Sequence, residues 1–221
     1  MCADPSIGGS FTGLHPMGLF YCMEPHGNGH PRNPEYCENL PPEHSEFRLR
    51  AWCDGAVLCE TKLRRRNLPQ GASCELIDDP DYRGMLYVPN NLSVSRTAQG
   101  PAVIVLSGSD GGIAKAQNIA QLLCGHGFAA MAVEYFGLEG LPDNLNAIPL
   151  EIVEKAAWFL ARRNDVDSRR IGLYGRSKGA EMALAAAQRV PLIHAVVANS
   201  PSCQIMEGLR GALPSRSSSW T

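Results

Sequence analysis

The chain has 221 residues and a formal net charge of −2, which excludes the basic excess that nucleic-acid binders use to hold phosphates. Hydrophobic residues make up 44% and charged residues 19%, so there is enough apolar side chain for one large core or two modest ones, and too little charge for general disorder. No apolar run approaches the length of a membrane span.

The first half reads as short strands parted by turns. Residues 1–95 lack helical periodicity, and candidate strands fall at 47–52, 56–63 and 84–88. Cys53-Asp54-Gly55 and Leu68-Pro69-Gln70-Gly71 supply turn chemistry between them. This spacing predicts a small all-β module, a sandwich, over residues 1–95. His26 and His30 are spaced like helical metal ligands, but Pro25-His26-Gly27-Asn28-Gly29-His30-Pro31 cannot hold a helix, and no metal is expected. Eight cysteines (Cys2, Cys22, Cys37, Cys53, Cys59, Cys74, Cys124 and Cys203) form no C-x-x-C pair and read as free thiols of a reducing compartment. The basic run of Lys62, Arg64, Arg65 and Arg66 reads as a solvated strand edge or turn; the alternative is a site for an anionic phosphate.

The second half alternates strand and helix. The continuous apolar run at 102–106 predicts a strand buried on both faces. The loop Ser107-Gly108-Ser109-Asp110-Gly111-Gly112 follows it, then a helix over 113–124 that stops at Gly125. A strand over 128–134, a helix over 149–164, a strand over 170–174, a helix over 178–189 and a strand over 193–198 complete the pattern. Such alternation implies a mostly parallel sheet with right-handed crossovers over residues 96–204. The serine-rich residues 205–221 lose this periodicity and are expected to form a disordered tail.

The chemistry concentrates at Gly175-Arg176-Ser177-Lys178-Gly179. A G-x-S-x-G sequence between a buried strand and a helix has the context of a nucleophile elbow. A sharp turn there exposes Ser177 Oγ, and Gly175 and Gly179 keep the turn free of side chains. The Lys178 N–H opens the helix, where donors lack intrahelical partners and the dipole favours negative charge, so it suits an oxyanion. A second donor comes in such sites from the loop after an earlier strand, here Ser109 or Asp110. A dinucleotide fingerprint is the competing reading of that loop. The spacing is not G-x-G-x-x-G, and Glu134 alone does not rescue it.

A serine hydroxyl needs a general base, commonly histidine oriented by a carboxylate. After Ser177 the carboxylates are Glu181 and Glu207, and the sole histidine is His194. Glu181 is expected to serve as a dipole partner in the first turn of its helix, and His194 to open the next strand away from the nucleophile. The base and the acid of a triad are therefore not found after the nucleophile.

The chain resembles the acyl-CoA thioesterase / bile acid-CoA:amino acid N-acyltransferase family. The similarity runs through Gly9-Ser10-Phe11-Thr12-Gly13-Leu14-His15-Pro16-Met17-Gly18-Leu19-Phe20, Leu68-Pro69-Gln70-Gly71 and Arg83-Gly84-Met85-Leu86-Tyr87-Val88-Pro89. It continues through Gly125-His126-Gly127-Phe128-Ala129-Ala130-Met131-Ala132 and Leu138-Glu139-Gly140-Leu141-Pro142, and ends at Gly172-Leu173-Tyr174-Gly175-Arg176-Ser177-Lys178-Gly179-Ala180-Glu181. The resemblance implies an N-terminal immunoglobulin-like sandwich fused to an α/β-hydrolase domain, with the latter C-terminally incomplete. It implies an acyl-CoA substrate, cleaved to free acid and CoA or, as the alternative, passed to an amino acid by N-acyl transfer, with no cofactor, Ser177 as nucleophile, and Lys178 with the Ser109–Asp110 segment as oxyanion donors. Family acyltransferases resemble one another in carrying cysteine at the nucleophile position, so Ser177 points to hydrolysis. The family's aspartate and histidine are expected beyond residue 221. That makes a truncated or alternatively spliced product the expectation, either an impaired thioesterase or an inactive acyl-CoA-binding or regulatory fragment. Another esterase or dienelactone hydrolase would share the elbow but not the N-terminal module. With no signal peptide, transit segment or S-K-L ending, the cytoplasm is the default compartment, with mitochondrion and peroxisome as alternatives.

Overall fold

A computed structural model describes residues 44–93, 99–210 and 213–221. The motif at 9–20 and the His26/His30 loop lie outside the described residues. Strands β1 (His44–Cys53) and β2 (Ala56–Arg66) form an antiparallel hairpin. Asp54 and Gly55 turn it with φ of 48° and 78°, the left-handed pair that a two-residue hairpin loop demands. Lys62 of the basic run pairs with Glu46 across this ribbon at 3.1 Å.

The main sheet has six strands in the order β3-β4-β6-β5-β7-β8: β3 (Ser73–Asp79), β4 (Tyr82–Val88), β5 (Gly100–Leu106), β6 (Ala129–Glu134), β7 (Val166–Arg176) and β8 (Ile193–Asn199). Strands β6, β5, β7 and β8 run parallel, and β4 joins β6 antiparallel with β3 outside it. The strand expected at 84–88 thus serves this sheet and not a separate all-β module, so a boundary at residue 95 falls within the sheet. The physical reason lies in its burial. Met85, Leu86, Tyr87 and Val88 are all buried, and a strand covered on both faces needs a sheet with two packed faces. Strand β3, a mostly exposed edge strand in which only Ile77 is buried, escaped the sequence reading.

The short helix α1 (Asn90–Ser93) precedes β5, and three longer helices cover the sheet: α2 (Ala114–Gly125), α3 (Glu151–Ala161) and α4 (Lys178–Ala187). Ile104, Leu106, Met131 and Val133 pack on α3 and α4 through Ile152, Val153, Ala156, Leu160, Met182 and Ala183. Val105, Ala130, Ala132, Met85 and Tyr87 pack on α2 through Ile113, Ala116, Ala120 and Cys124. Successive strand residues feed opposite cores, which is why the sequence shows apolar runs instead of alternation. The described cysteines Cys53, Cys59, Cys74, Cys124 and Cys203 are free, and burial pushes the Cys74 and Cys124 thiols up to about 11.

The tail departs from expectation. Strands β9 (Glu207–Arg210) and β10 (Leu213–Ser218) form an antiparallel pair. Backbone amides of Ala147 and Ile148 donate to Ser218 and Ser219 carbonyls at 2.9 Å each. Trp220 is 4% exposed and packs edge-on against Tyr135 at 6.1 Å between ring centroids. Composition misleads here because one buried indole and a set of backbone hydrogen bonds hold a segment that has no apolar periodicity. Among the described residues, no helix is long and apolar enough to cross a membrane.

Candidate active site

Strand β7 leads straight into α4, and Ser177 occupies the turn between them with φ 54° and ψ −119°. Such a conformation costs a β-carbon-bearing residue about 1–3 kcal/mol. The surrounding chain fixes it. Ser177 N donates to the Asn199 carbonyl at the end of β8 at 2.8 Å, and Ala180 N donates back to Ser177 O at 2.9 Å. A β-carbon on Gly175 would stand 2.1 Å from Gly179 O, and one on Gly179 would stand 2.2 Å from Ser107 O. Both positions accordingly admit only glycine, and close packing of the turn on the 107–112 loop is the reason. Ser177 itself is exposed.

That loop lies beside Ser177. A β-carbon on Gly108 would be 3.2 Å from Ser177 Cβ. Gly111 and Gly112 adopt φ of 63° and 76°, and Tyr135 Oη donates to Ser107 O at 2.7 Å from beneath. Ser109 and Asp110 form the exposed tip. Asp110 pairs with Lys115 and lies 3.9 Å from the Arg176 guanidinium. Partial burial pushes its carboxyl up, but the hydrogen bonds from Lys115 and its own amide, with the two cationic charges, outweigh that and hold it below the usual range. Lys178 is the first residue of α4, so its N–H has no acceptor within the helix. The structure therefore brings Ser177, Lys178 and the Ser109–Asp110 tip to one end of the parallel strands.

Glu181 does more than face the helix dipole. It is 4% exposed and accepts from Ser202 Oγ at 2.5 Å, Met206 N at 3.0 Å and Trp220 Nε1 at 2.9 Å. Lys178 Nζ reaches it at 3.3 Å and also donates to Glu207 O at 3.0 Å and Ser219 Oγ at 2.8 Å. The pair binds the tail to the first turn of α4. Sequence reasoning missed this role, since no local pattern joins residues 178 and 181 to residues 202–220.

The described histidines whose side chains are placed stand elsewhere. His194 is exposed next to Ile193, which pairs with Ile171 midway along β7, level with Ala102 and Ala129 at the far end of β5 and β6 from Ser177. At about 3.3 Å per strand residue, this puts it roughly 15–20 Å from Ser177. His126 caps α2 ahead of β6, at that same far end. Among the described residues no cluster of three His, Cys, Asp or Glu side chains gathers to hold a metal ion.

Residues 1–79 match the acyl-CoA thioester hydrolase/BAAT N-terminal region, and residues 148–210 match the BAAT / acyl-CoA thioester hydrolase C terminal. Human mitochondrial acyl-coenzyme A thioesterase 2 is 32% identical over 87% of this chain and 39% of its own length. Mouse acyl-coenzyme A thioesterase 6 is 34% identical over 90% and 48%, and mouse bile acid-CoA:amino acid N-acyltransferase is 31% identical over 90% and 47%. The chain thus spans under half the length of these relatives. Among solved structures, a Klebsiella pneumoniae protein described as a dienelactone hydrolase superposes with TM-score 0.53 at 18% identity, covering 67% of this chain and 66% of its own. The α/β-hydrolase GrgF from Penicillium sp. sh18 gives 0.50 at 23% identity, covering 63% and 47%. These two likenesses carry the fold alone: the sheet and its helices have the α/β-hydrolase fold. The chain belongs to the acyl-CoA thioester hydrolase / bile acid-CoA:amino acid N-acyltransferase family.

Proposed function

We propose that this chain carries the acyl-accepting half of an acyl-CoA thioester hydrolase. Ser177 Oγ attacks the thioester carbonyl, CoA leaves as the thiol, and water then releases the fatty acid from the serine ester. The observation that carries the reading is the strained Ser177 turn, with φ 54° between two glycines that admit no β-carbon. The Lys178 N–H and an N–H of the Ser109–Asp110 tip hold the oxyanion; in known enzymes one such donor is worth about 2.7–4 kcal/mol. Serine at this position favours water over an amino acid as acceptor, so hydrolysis is preferred to N-acyl transfer. The hairpin β1–β2 and the match over residues 1–79 support an immunoglobulin-like sandwich at the N-terminal end. A cytoplasmic location is our working assignment.

The second reading is an acyl-CoA-binding or regulatory chain without turnover. It is favoured by the distance of His126 and His194 from Ser177. Intact-mass spectrometry with a long-chain acyl-CoA, beside Ser177→Ala, separates the two. An acyl adduct on the native chain alone supports the nucleophile. A folded chain that gains no mass and frees no CoA rejects it and leaves the binding reading.

A further inference from the structure

Strand β5 ends its pairing at Leu106, which stands level with Val133 of β6 and Gly175 of β7. Ser107 comes next. It is 2% exposed, and its carbonyl lies past the last pair of both ladders. A buried carbonyl in that position needs a donor from elsewhere. Tyr135 supplies it, with Oη donating to Ser107 O at 2.7 Å. The pleat explains the reach. Tyr135 lies two residues beyond Val133, so it rises from the same face of the sheet, and both belong to the core under α3 and α4.

Phenylalanine would fill this space as well as tyrosine does. The residue is 0% exposed, and a hydroxyl taken wholly out of water costs free energy unless it is bonded. The use of the hydroxyl is what it holds, and it holds the junction of the two oxyanion segments. Ser107 O is the same atom that a β-carbon on Gly179 would meet at 2.2 Å, so this carbonyl touches the first turn of α4. From Ser107 the loop closes on itself, Oγ donating to Gly112 O at 3.3 Å. Phe136 lies against the loop, 3.6 Å from where a β-carbon on Gly111 would stand. The Tyr135 ring is gripped in turn by Phe136 at 5.3 Å and by Trp220 of the tail at 6.1 Å between centroids.

We propose that Tyr135 is a positioning residue for the acyl-transfer site: its hydroxyl fixes the Ser107 carbonyl, and through it the placement of the Ser109–Asp110 tip relative to the Lys178 N–H. This rests on the acyl-transfer reading for its catalytic consequence; the hold on the loop stands without it. An oxyanion hole works through donors set in place before charge develops, and a displacement of about 1 Å can cost about a hundredfold in rate. Tyr135 itself is placed to touch no reacting atom. Loss of its hydroxyl should therefore slow acylation without weakening acyl-CoA binding.

The test is Tyr135→Phe in the full chain, which keeps the ring and removes one oxygen. Single-turnover acylation of Ser177 by a long-chain acyl-CoA, followed by intact mass, should show a maximal rate lower by about tenfold or more and a half-saturating concentration within about twofold of the native value. Amide order parameters at residues 108–112, from nitrogen-15 relaxation, should fall from about 0.85 towards about 0.6. Trp220 emission, which reads the tail, should stay native. Unchanged order parameters overturn the proposal, as does an unchanged acylation rate over a loosened loop, or a loss of rate accounted for wholly by weaker binding. In the native chain the Tyr135 hydroxyl proton should exchange slowly enough to give its own resonance, with an Overhauser contact to the Ser107–Gly108 segment. Its absence overturns the proposal even if the variant fails to fold. A native chain that is never acylated, yet loses loop order in Tyr135→Phe, would instead reject Ser177 as nucleophile and leave the hold on the loop standing.

Discussion

The turn into α4 and the tail that lies over the first turn of that helix hold the same few residues by opposite means. At the turn, backbone meets backbone: Gly175, Gly179 and Ser107 stand so close that a single added carbon would overlap an oxygen. At the tail, side chains reach across long sequence separations: Trp220, Ser202 and Ser219 converge on Glu181 and Lys178. The first arrangement is rigid because it is steric. The second depends on charge, since Glu181 and Lys178 are buried to 4% and 12% side-chain exposure and neutralise one another. A site built on the first tolerates nothing at its centre, whereas a segment built on the second can be detached by one substitution.

The largest effect should come from the steric side. In Gly179→Ala the new carbon meets Ser107 O at 2.2 Å and Leu106 O at 2.7 Å, both main-chain atoms of the central strand and its loop. Neither can move without opening the sheet, so a loss above about 4 kcal/mol, the range of exceptional point mutants, is expected in urea titration. A near-native midpoint would mean that the turn relaxes and is not sterically locked.

Next comes the electrostatic side. Glu181→Ala strips the tail of its acceptor and leaves the Lys178 ammonium buried without its partner, a situation that typically costs about 3–5 kcal/mol. The loss should be local. Limited proteolysis should cut within residues 205–219, and Trp220 emission should shift to the red, while helix and sheet content stays intact. Uniform unfolding instead would join the tail to the main core and erase the contrast drawn above.

The difference also decides what the sequence could disclose. Ser177 and its glycines announce themselves within five residues because the elbow is a local object: turn geometry, glycine and helix start are all neighbours in the chain. The parallel strands β5 to β8 are legible for a similar reason, as buried runs between amphipathic helices. Strand β4 was visible as a strand but not as part of this sheet, because pairing with β6 joins residues 83–87 to 130–134. The docking of Trp220 on Glu181 spans 39 positions and rests on a single aromatic in a serine-rich stretch. Tyr135 could have been noticed as a hydroxyl just past an apolar strand. Its partner could not, since the Ser107 carbonyl lies 28 positions back and only the folded chain joins the two.

The smallest expected effect dissects the tail's grip. Trp220→Phe keeps an aromatic ring against Tyr135 but removes the indole N–H that donates to Glu181 at 2.9 Å. Glu181 would still accept from Ser202, Met206 and Lys178, so it is not orphaned, and only one charge-assisted hydrogen bond is lost. A decrease of about 1–2 kcal/mol is expected, against about 3–5 kcal/mol for Trp220→Ala, which also empties the space of the ring. Tail opening measured by hydrogen exchange at residues 217–221 reads both variants. Equal losses would show that the hydrogen bond, not packing, holds the tail. A Phe variant indistinguishable from the native chain would assign the grip to packing and to the Lys178–Glu181 pair, making the indole nitrogen incidental.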